Sequence, residues 1–392
     1  MKIWKETGAV PIKAWVENVS SDIDKLALEQ ATNLSKLPFV YKHVALMPDV
    51  HGGMGVPIGG VLATRDVVIP NAVGVDIGCG MLGIRTNLTS IDLQTLKALV
   101  NDTKHKIPTG FSKRKSPVVE IPEKLMLEMA NSEIMSNHIE NAEMQLGTLG
   151  GGNHFLEIQE GSDGFIWIMI HSGSRNLGHT VAQAHDKIAV KLNKNWHSAV
   201  DSELKLAFLP TNTTEAKNYV SDMITCKVYA KLNRKTMGDL VMDSLKAYFP
   251  EVEVTASHDV THNYVAVEEH FGEYVLVHRK GAVKAESGTP VIIPGSQGTK
   301  SYFGFGKGNP ESFNSCSHGA GRLMSRTQAK KNLDFAAQKE MLDSQGIVHG
   351  MTSTKALDEA PGAYKSIDVV MANQTDLVMP TVELQPLAVI KG

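Results

Sequence analysis

Glycine falls in clusters in this chain, at 52–60, 74–83, 147–152, 295–308 and 319–321, and each cluster interrupts any long helix or heptad seam that would otherwise run through it. Between the clusters lie short runs rich in branched and aromatic residues, at 43–47, 67–69, 165–170, 274–277 and 291–293, which read as strands. Strands of this kind deliver residues into glycine loops, where a backbone without side chains lets a ligand approach closely. Helical patterns over 21–36, 92–104, 122–146, 180–196 and 215–249 separate them. No internal repeat and no Pro/Ser/Gly-rich linker divides the chain. The expected fold is α/β (mixed α+β), a single unit over 1–392 with a helical insertion at about 176–250.

Composition narrows the function classes. With 392 residues and 42% hydrophobic content the chain buries a sizeable core, which excludes a disordered tail or a small disulfide scaffold. Lys and Arg total 39 against 42 for Asp and Glu, so the net charge of −3 provides no whole-molecule positive field, and any nucleic-acid site must be local. Three cysteines, at 79, 226 and 316, are too few for an extracellular framework and point to reduced, cytoplasmic chemistry. Residues 1–6 carry no apolar stretch and the strongest apolar run, 165–170, has six residues, so neither a secretory signal nor a membrane span is expected.

Several polar clusters sit in apolar or glycine-rich settings. Asp76 and Cys79 stand three apart between glycines, a spacing that suits one metal site, although taken alone the stretch reads first as a buried cysteine beside a turn-forming Asp. Three glycines at 150–152 lead into Asn153, His154 and a strand-like segment ending in Glu157, a carboxylate that can accept protons from a purine edge. A glycine turn with a hydrogen-bonded histidine accounts for that stretch equally well. The apolar run at 165–170 ends in His171, Ser172, Gly173, Ser174 and Arg175, the strand end where α/β folds place their sites. His258 and His262 are four apart in an extended context, and His262 is favoured as a ligand, a choice that spacing alone does not justify.

His318 lies among Ser, Gly and Ala, with Arg322 four positions on; a neutral imidazole attacks phosphorus and a guanidinium binds phosphate bidentately. A loop packed tightly by Gly and Ser is the plainer reading. The segment 294–301 lacks the spacing of a P-loop, and no Lys-x-Asp-Gly motif is present, so neither a P-loop NTPase nor an ordinary lysine-adenylating ligase is supported.

The ordered set Pro48-Asp-Val-His51, Val75-Asp-Ile-Gly-Cys79-Gly80, Gly152-Asn-His-Phe155, His171-Ser-Gly-Ser-Arg175 and Ser315-Cys-Ser-His-Gly-Ala-Gly-Arg322 resembles the RtcB family of RNA ligases, and the likeness runs in order to Lys391-Gly392. The resemblance implies an enzyme, dependent on GTP and two Mn2+ ions, that joins an RNA 3′-phosphate or 2′,3′-cyclic phosphate to a 5′-hydroxyl. On the family pattern Asp76, Cys79 and His154 hold one ion and Cys79, His171 and His262 the other. His318 takes GMP from GTP and passes it to the RNA 3′-phosphate, giving an activated RNA-pp-G end.

The same match puts Asn153, His154, Phe155, Leu156 and Glu157 around GTP, with His262 and Asn263 beside them. It adds Pro294, Gly295, Ser296, Gln297 and Ser301, then His318 with Gly319, Ala320 and Gly321, and finally Tyr364 and Lys391; Glu157 is assigned to the guanine edge. Arg175, Lys280 and Arg322 are expected to contact RNA or terminal phosphates, and the clusters Lys113-Arg114-Lys115 and Arg326/Lys330/Lys331 are candidates to extend the path, although Lys113-Arg114-Lys115 reads first as a solvated charged face. The expected partners are RNA ends and an archease-type activator, on a monomer working in tRNA splicing or RNA repair. Two rival readings are a paralogue that caps RNA 3′-phosphates with GMP or processes cyclic phosphates without sealing, and an inactive RNA-binding module.

Overall fold

The computed structural model describes residues 1–6 and 8–392. Two sheets face each other. One runs in the order Lys2–Trp4, Ile12–Ala14, Val40–His51, Ile58–Thr64, Glu273–Lys280, Asn263–His270. The other runs Val254–Thr261, Gly80–Thr86, Ile166–Ser172, Phe155–Gly161, Val378–Lys391, Ser301–Gly306, Pro290–Ile293. Strand alternation sorts each sheet into two faces. Ala45, Met47, Val61 and Ala63 from the first sheet meet Met81, Phe155, Trp167 and Met169 from the second in one shared core.

The opposite faces are covered by helices. Leu82, Ile84, Leu156, Ile168 and Ile170 pack against Leu96 and Leu99 of the helix Leu93–Lys106 and against Met237 and Val241 of the long helix Thr214–Tyr248. Val44, Leu46 and Leu62 pack against Ala27, Ala31 and Leu34 of the helix Lys25–Ser35. The molecule is therefore mixed α/β, with helices outside two apposed sheets. No helix among the described residues is long and apolar enough to cross a membrane.

The middle of the chain contains the helices Leu177–Asn195 and Thr214–Tyr248, close to the expected bounds. The single helix expected over 122–146 is instead broken into Glu123–Asn131, a turn of 3-10 helix at Ser136–His138, and Ile139–Gln145. Ser132 causes the break: its Oγ accepts hydrogen bonds from the N–H groups of Ile134 and Met135, offering the backbone a turn in place of helix.

One buried ion pair ties the long helix to the sheet edge. Arg234 donates to both oxygens of Asp259, at 2.7 and 2.9 Å, and through Nη1 to the carbonyls of Gly78 and Ser172, each at 2.9 Å. Its side chain is wholly buried. Removing one member of such a pair strands the other charge, so Arg234→Ala is expected to lower stability by about 3–5 kcal/mol, read as a lower urea midpoint. An unchanged midpoint would show that this pair does not brace the fold.

Candidate active site

Four strands of the second sheet bring their ends to one edge. Antiparallel pairing sets Gly80 opposite both Thr261 and Ser172, and His171 opposite both Met81 and Phe155. Cys79 just before one strand, His154 just before another, His171 near the end of a third and His262 just past the fourth therefore gather at that edge. The last strand joins them, since Lys391 pairs with Phe155. His262 is also the residue at which the chain leaves one sheet for the other, and its N–H donates to the Cys79 carbonyl at 3.0 Å.

The donor atoms form two triads that share one thiol. Those of Cys79, His171 and His262, and those of Asp76, Cys79 and His154, each lie within 4.8 Å of one another. Sγ of Cys79 is 3.3 Å from Nε2 of His171 and 3.5 Å from Nε2 of His154, and the Nε2 atoms of His171 and His262 are 3.4 Å apart. Backbone carbonyls set two of the tautomers: Nδ1 of His154 faces the Leu149 oxygen at 3.0 Å, and Nδ1 of His171 faces the Asn153 oxygen at 3.1 Å. Each Nδ1 therefore carries a hydrogen, and each ring turns its Nε2 inward.

An inward lone pair on His154, 3.1 Å from the Asp76 carboxylate, needs a cation or a second proton between them. Burial, reinforced by the neighbouring histidines, holds His171 and His262 well below the usual imidazole range, so these rings stay neutral. Burial and the Asp76 carboxylate push the Cys79 thiol well up, and a thiolate there requires an opposing positive charge. Mixed sulfur, nitrogen and oxygen donors, neutral rings and a shared thiol together fit divalent cations. Glycine at 173 makes room for this arrangement, because a Cβ there would lie 2.3 Å from Oδ2 of Asp76.

His318 follows the short strand Ser315–Ser317, and its ring centroid is 4.9 Å from that of His262. Oδ2 of the fully buried Asp49 accepts from the His318 backbone N–H at 3.0 Å and from its Nδ1 at 2.6 Å. With Nδ1 committed to the carboxylate, the Nε2 lone pair is the free one. Gly281, at φ +62°, sits where a Cβ would come within 3.0 Å of Cε1 of His318.

Asp76, Cys79, His171, His262 and His318 open onto one cavity of about 910 Å³, whereas His154, expected on its wall, does not line it. Asn153, Phe155, Glu157 and Asn263 line it, as do 294–297 and 318–322, Lys280, Tyr364 and Lys391. Burial pushes the Glu157 carboxyl up to about 8 against the pull of Lys391 and the Gln159 amide. Burial also lowers Lys280 to about 8, and its Nζ donates to the Met54 carbonyl at 2.7 Å.

Some expected residues face elsewhere. Leu156 points away from the cavity into the helix-covered core, because alternation along its strand puts Phe155 and Glu157 on the other face. Ser301 does not line the cavity; it is buried in its strand, where Oγ meets the Gln159 amide at 3.3 Å and the Gly295 N–H at 3.2 Å. Arg175 is absent from the wall as well: Nε donates to Thr148 Oγ1 at 3.0 Å, and the guanidinium lies behind Gly150, bracing the glycine loop. His258 stacks on Phe303 at 4.9 Å, along its strand and short of the strand end where the donors gather.

Other groups went unassigned from sequence. Asp49 belongs to a recognised motif but is 269 residues from the histidine it holds. Glu359, in a 3-10 helix with no motif around it, is the hub of the cavity's far wall. It pairs with Arg322 at 3.2 Å, Arg326 at 2.9 Å and Lys391 at 3.6 Å, and accepts from the Tyr364 hydroxyl.

Residues 30–131 and 119–392 match the family model described as tRNA-splicing ligase RtcB. The chain is 38% identical to the RNA-splicing ligase RtcB of Escherichia coli K12, over 98% of each chain. It is 34% identical to the tRNA-splicing ligase RtcB of Nanoarchaeum equitans, over 98% of this chain and 95% of the relative. Against the tRNA-splicing ligase RtcB of Thermococcus kodakarensis the identity is 32%, over 93% and 91%. A likeness that spans the whole length, and a sheet edge that gathers this donor set beside His318, place the chain in the RtcB family.

Proposed function

We propose that this protein is an RNA ligase that joins a 3′-phosphate or 2′,3′-cyclic phosphate end to a 5′-hydroxyl end, with GTP as co-substrate and His318 as nucleophile. The observation that carries the reading is the His318 ring, held through Nδ1 by Asp49 with Nε2 free, next to two cation-fitting triads at one cavity. RtcB ligases are metal-dependent. Asp76, Cys79 and His154 would hold one Mn2+ and Cys79, His171 and His262 the other, and the ions supply positive charge opposite phosphate oxygens.

The chain's own groups divide the remaining work. Nε2 of His318 attacks the α-phosphorus of GTP; the bond to the β-phosphate bridging oxygen breaks, pyrophosphate leaves, and GMP remains on the ring. Asp49 fixes the tautomer that turns the Nε2 lone pair toward the phosphate and stabilises the ring as it gains positive charge. Glu157 accepts from the guanine edge when ionised, and Lys391 beside it favours that form. Arg322 and Lys280 stand on the wall where phosphates arrive. A 2′,3′-cyclic end is first opened by water, which breaks the P–O2′ bond and leaves a 2′-hydroxyl and a 3′-phosphate; the RNA 3′-phosphate then takes GMP from His318, and the 5′-hydroxyl displaces GMP from the activated end. In this reading the protein acts as a cytoplasmic monomer, with an archease-type protein as activator.

The test is incubation of purified protein with manganese, GTP and end-labelled RNA bearing 3′-phosphate and 5′-hydroxyl termini. Joined product is expected. Accumulation of RNA-pp-G without joining would replace the ligase reading with a capping one. Recovery of the metal-stripped enzyme by zinc but never by manganese would remove manganese from the assignment.

A further inference from the structure

The segment Lys113-Arg114-Lys115, which the sequence offers as a solvated charged face or as an extension of the RNA path, is not uniformly solvent-facing. Arg114 turns inward: its Nε donates to the Leu146 carbonyl at 2.9 Å, and Nη2 to those of Lys106 and Gly147 at 2.8 and 2.7 Å. Its backbone N–H donates to the Met144 carbonyl at 2.9 Å. The preceding residues are fastened to the glycine loop of the active site. Gly110 N–H donates to the Gly150 carbonyl at 2.8 Å, Leu149 N–H to the Pro108 carbonyl at 2.9 Å, and Thr109 bridges Gly150 in parallel.

Pinning Arg114 and Gly110 leaves Phe111 with nowhere to pack, and at 105% relative exposure it is as open as in an isolated peptide. Lys113 and Lys115 are exposed beside it. A large aromatic fully in water adds nothing to the fold, so its whole ring face, on a loop held in place by the inward Arg114, is open to an occupant. The loop adjoins the cavity, since Gly150 lies four residues before His154 and the Arg326 guanidinium on the cavity wall lies against Gly152.

We propose that 110–115 is the docking element for unpaired RNA next to the end being joined, with one base stacked on Phe111 and neighbouring phosphates on Lys113 and Lys115. The assignment rests on the RNA-ligase reading of the adjoining cavity. Every base offers a π face, and lysines act on phosphate as mobile point charges, so the contact is independent of sequence. Gly110, Ser112 and Lys113 flank Phe111, and this polar setting favours a nucleic acid over an apolar protein patch. Val118 and Val119, each 40% exposed farther along, are what a protein occupant would use.

The experiment is fluorescence anisotropy of a short single-stranded RNA with a 3′-phosphate, using full-length protein with manganese over a range of NaCl. Phe111→Ala is expected to weaken binding ~10-fold for oligo-A and oligo-U alike, with Phe111→Trp binding as wild type does. The double variant Lys113→Gln/Lys115→Gln is expected to flatten the log–log salt slope by about 1.4, as for two lost single-strand phosphate contacts. An unchanged thermal midpoint in each variant shows that folding is not the cause.

Phe111→Ala binding RNA within twofold of wild type overturns the proposal. Phe111→Leu binding as tightly as Phe111→Trp also overturns it, because aliphatic cover is then sufficient. Wild type that neither binds this RNA nor joins ends brings down the RNA-ligase reading itself. Wild type that joins ends while Phe111→Ala binds equally well brings down only the loop.

Discussion

Cys79→Ala is expected to abolish ligation, lowering the rate by ~10³-fold or more, because loss of one sulfur removes a donor from both triads at once. Metal content measured after exhaustive dialysis against manganese should fall from two ions per chain toward none. The competing account is a packed thiol, since Cys79 is buried like Cys226 and Cys316. The two accounts separate on Cys79→Ser, which nearly conserves volume but is a poor substitute for thiolate. If the thiol only fills space, the serine variant keeps its metal and its activity. Two ions and wild-type ligation in either variant would end the bridging assignment.

His318→Ala is expected to give no radiolabelled GMP–protein at all, while the same variant supplied with preformed RNA-pp-G still seals it to a 5′-hydroxyl, since the final displacement does not use the ring. Asp49→Asn gives the intermediate case. An amide in place of the carboxylate can turn its N–H toward Nδ1 and favour the wrong tautomer, which drops nucleophilic attack by as much as ~10⁴-fold where a carboxylate orients an imidazole. Buried Asp49 reaches His318 through both the ring and the backbone N–H, so the variant should also be assayed for its thermal midpoint. Equal GMP labelling of wild type and His318→Ala would remove His318 from the role of nucleophile. Wild-type labelling by Asp49→Asn would reduce that contact to a structural one.

Legibility differed from residue to residue. Cys79, His154 and His171 are readable because each sits where an apolar run meets glycine, and a strand end is where a sheet presents its side chains. His262 was separable from His258 only by likeness to a family. In the structure the reason is visible, since His262 lies past the strand end at the crossover between sheets while His258 lies along the strand against Phe303. The Leu156 side chain shows the limit of positional matching, since a neighbour in sequence to a cavity residue is, in a strand, on the opposite face; Ser301 lies off the cavity wall for another reason, its Oγ being engaged by Gln159 and the Gly295 N–H.

Arg114 and Arg175 went the same way. Both look like surface cations in sequence, and both instead satisfy backbone or hydroxyl oxygens around the glycine loop. An arginine's five donors fit buried oxygen atoms as readily as they fit phosphate, and the sequence does not say which is within reach.

The amino-acid sequence was enough to establish strands ending in glycine loops, the mixed α/β class, the donor types and the imidazole that stands among small residues. Those properties are local, set by side-chain period, glycine's missing Cβ and the chemistry of single groups. The family likeness named Cys79 as common to both triads and the tertiary structure brings those donors within reach of one another, but only the tertiary structure decided that Asp49 holds His318 across 269 residues and that Glu359 gathers Arg322, Arg326, Tyr364 and Lys391. Strand register sets which residues become neighbours at a sheet edge, and register follows from how two sheets and their helices pack, which no single segment contains.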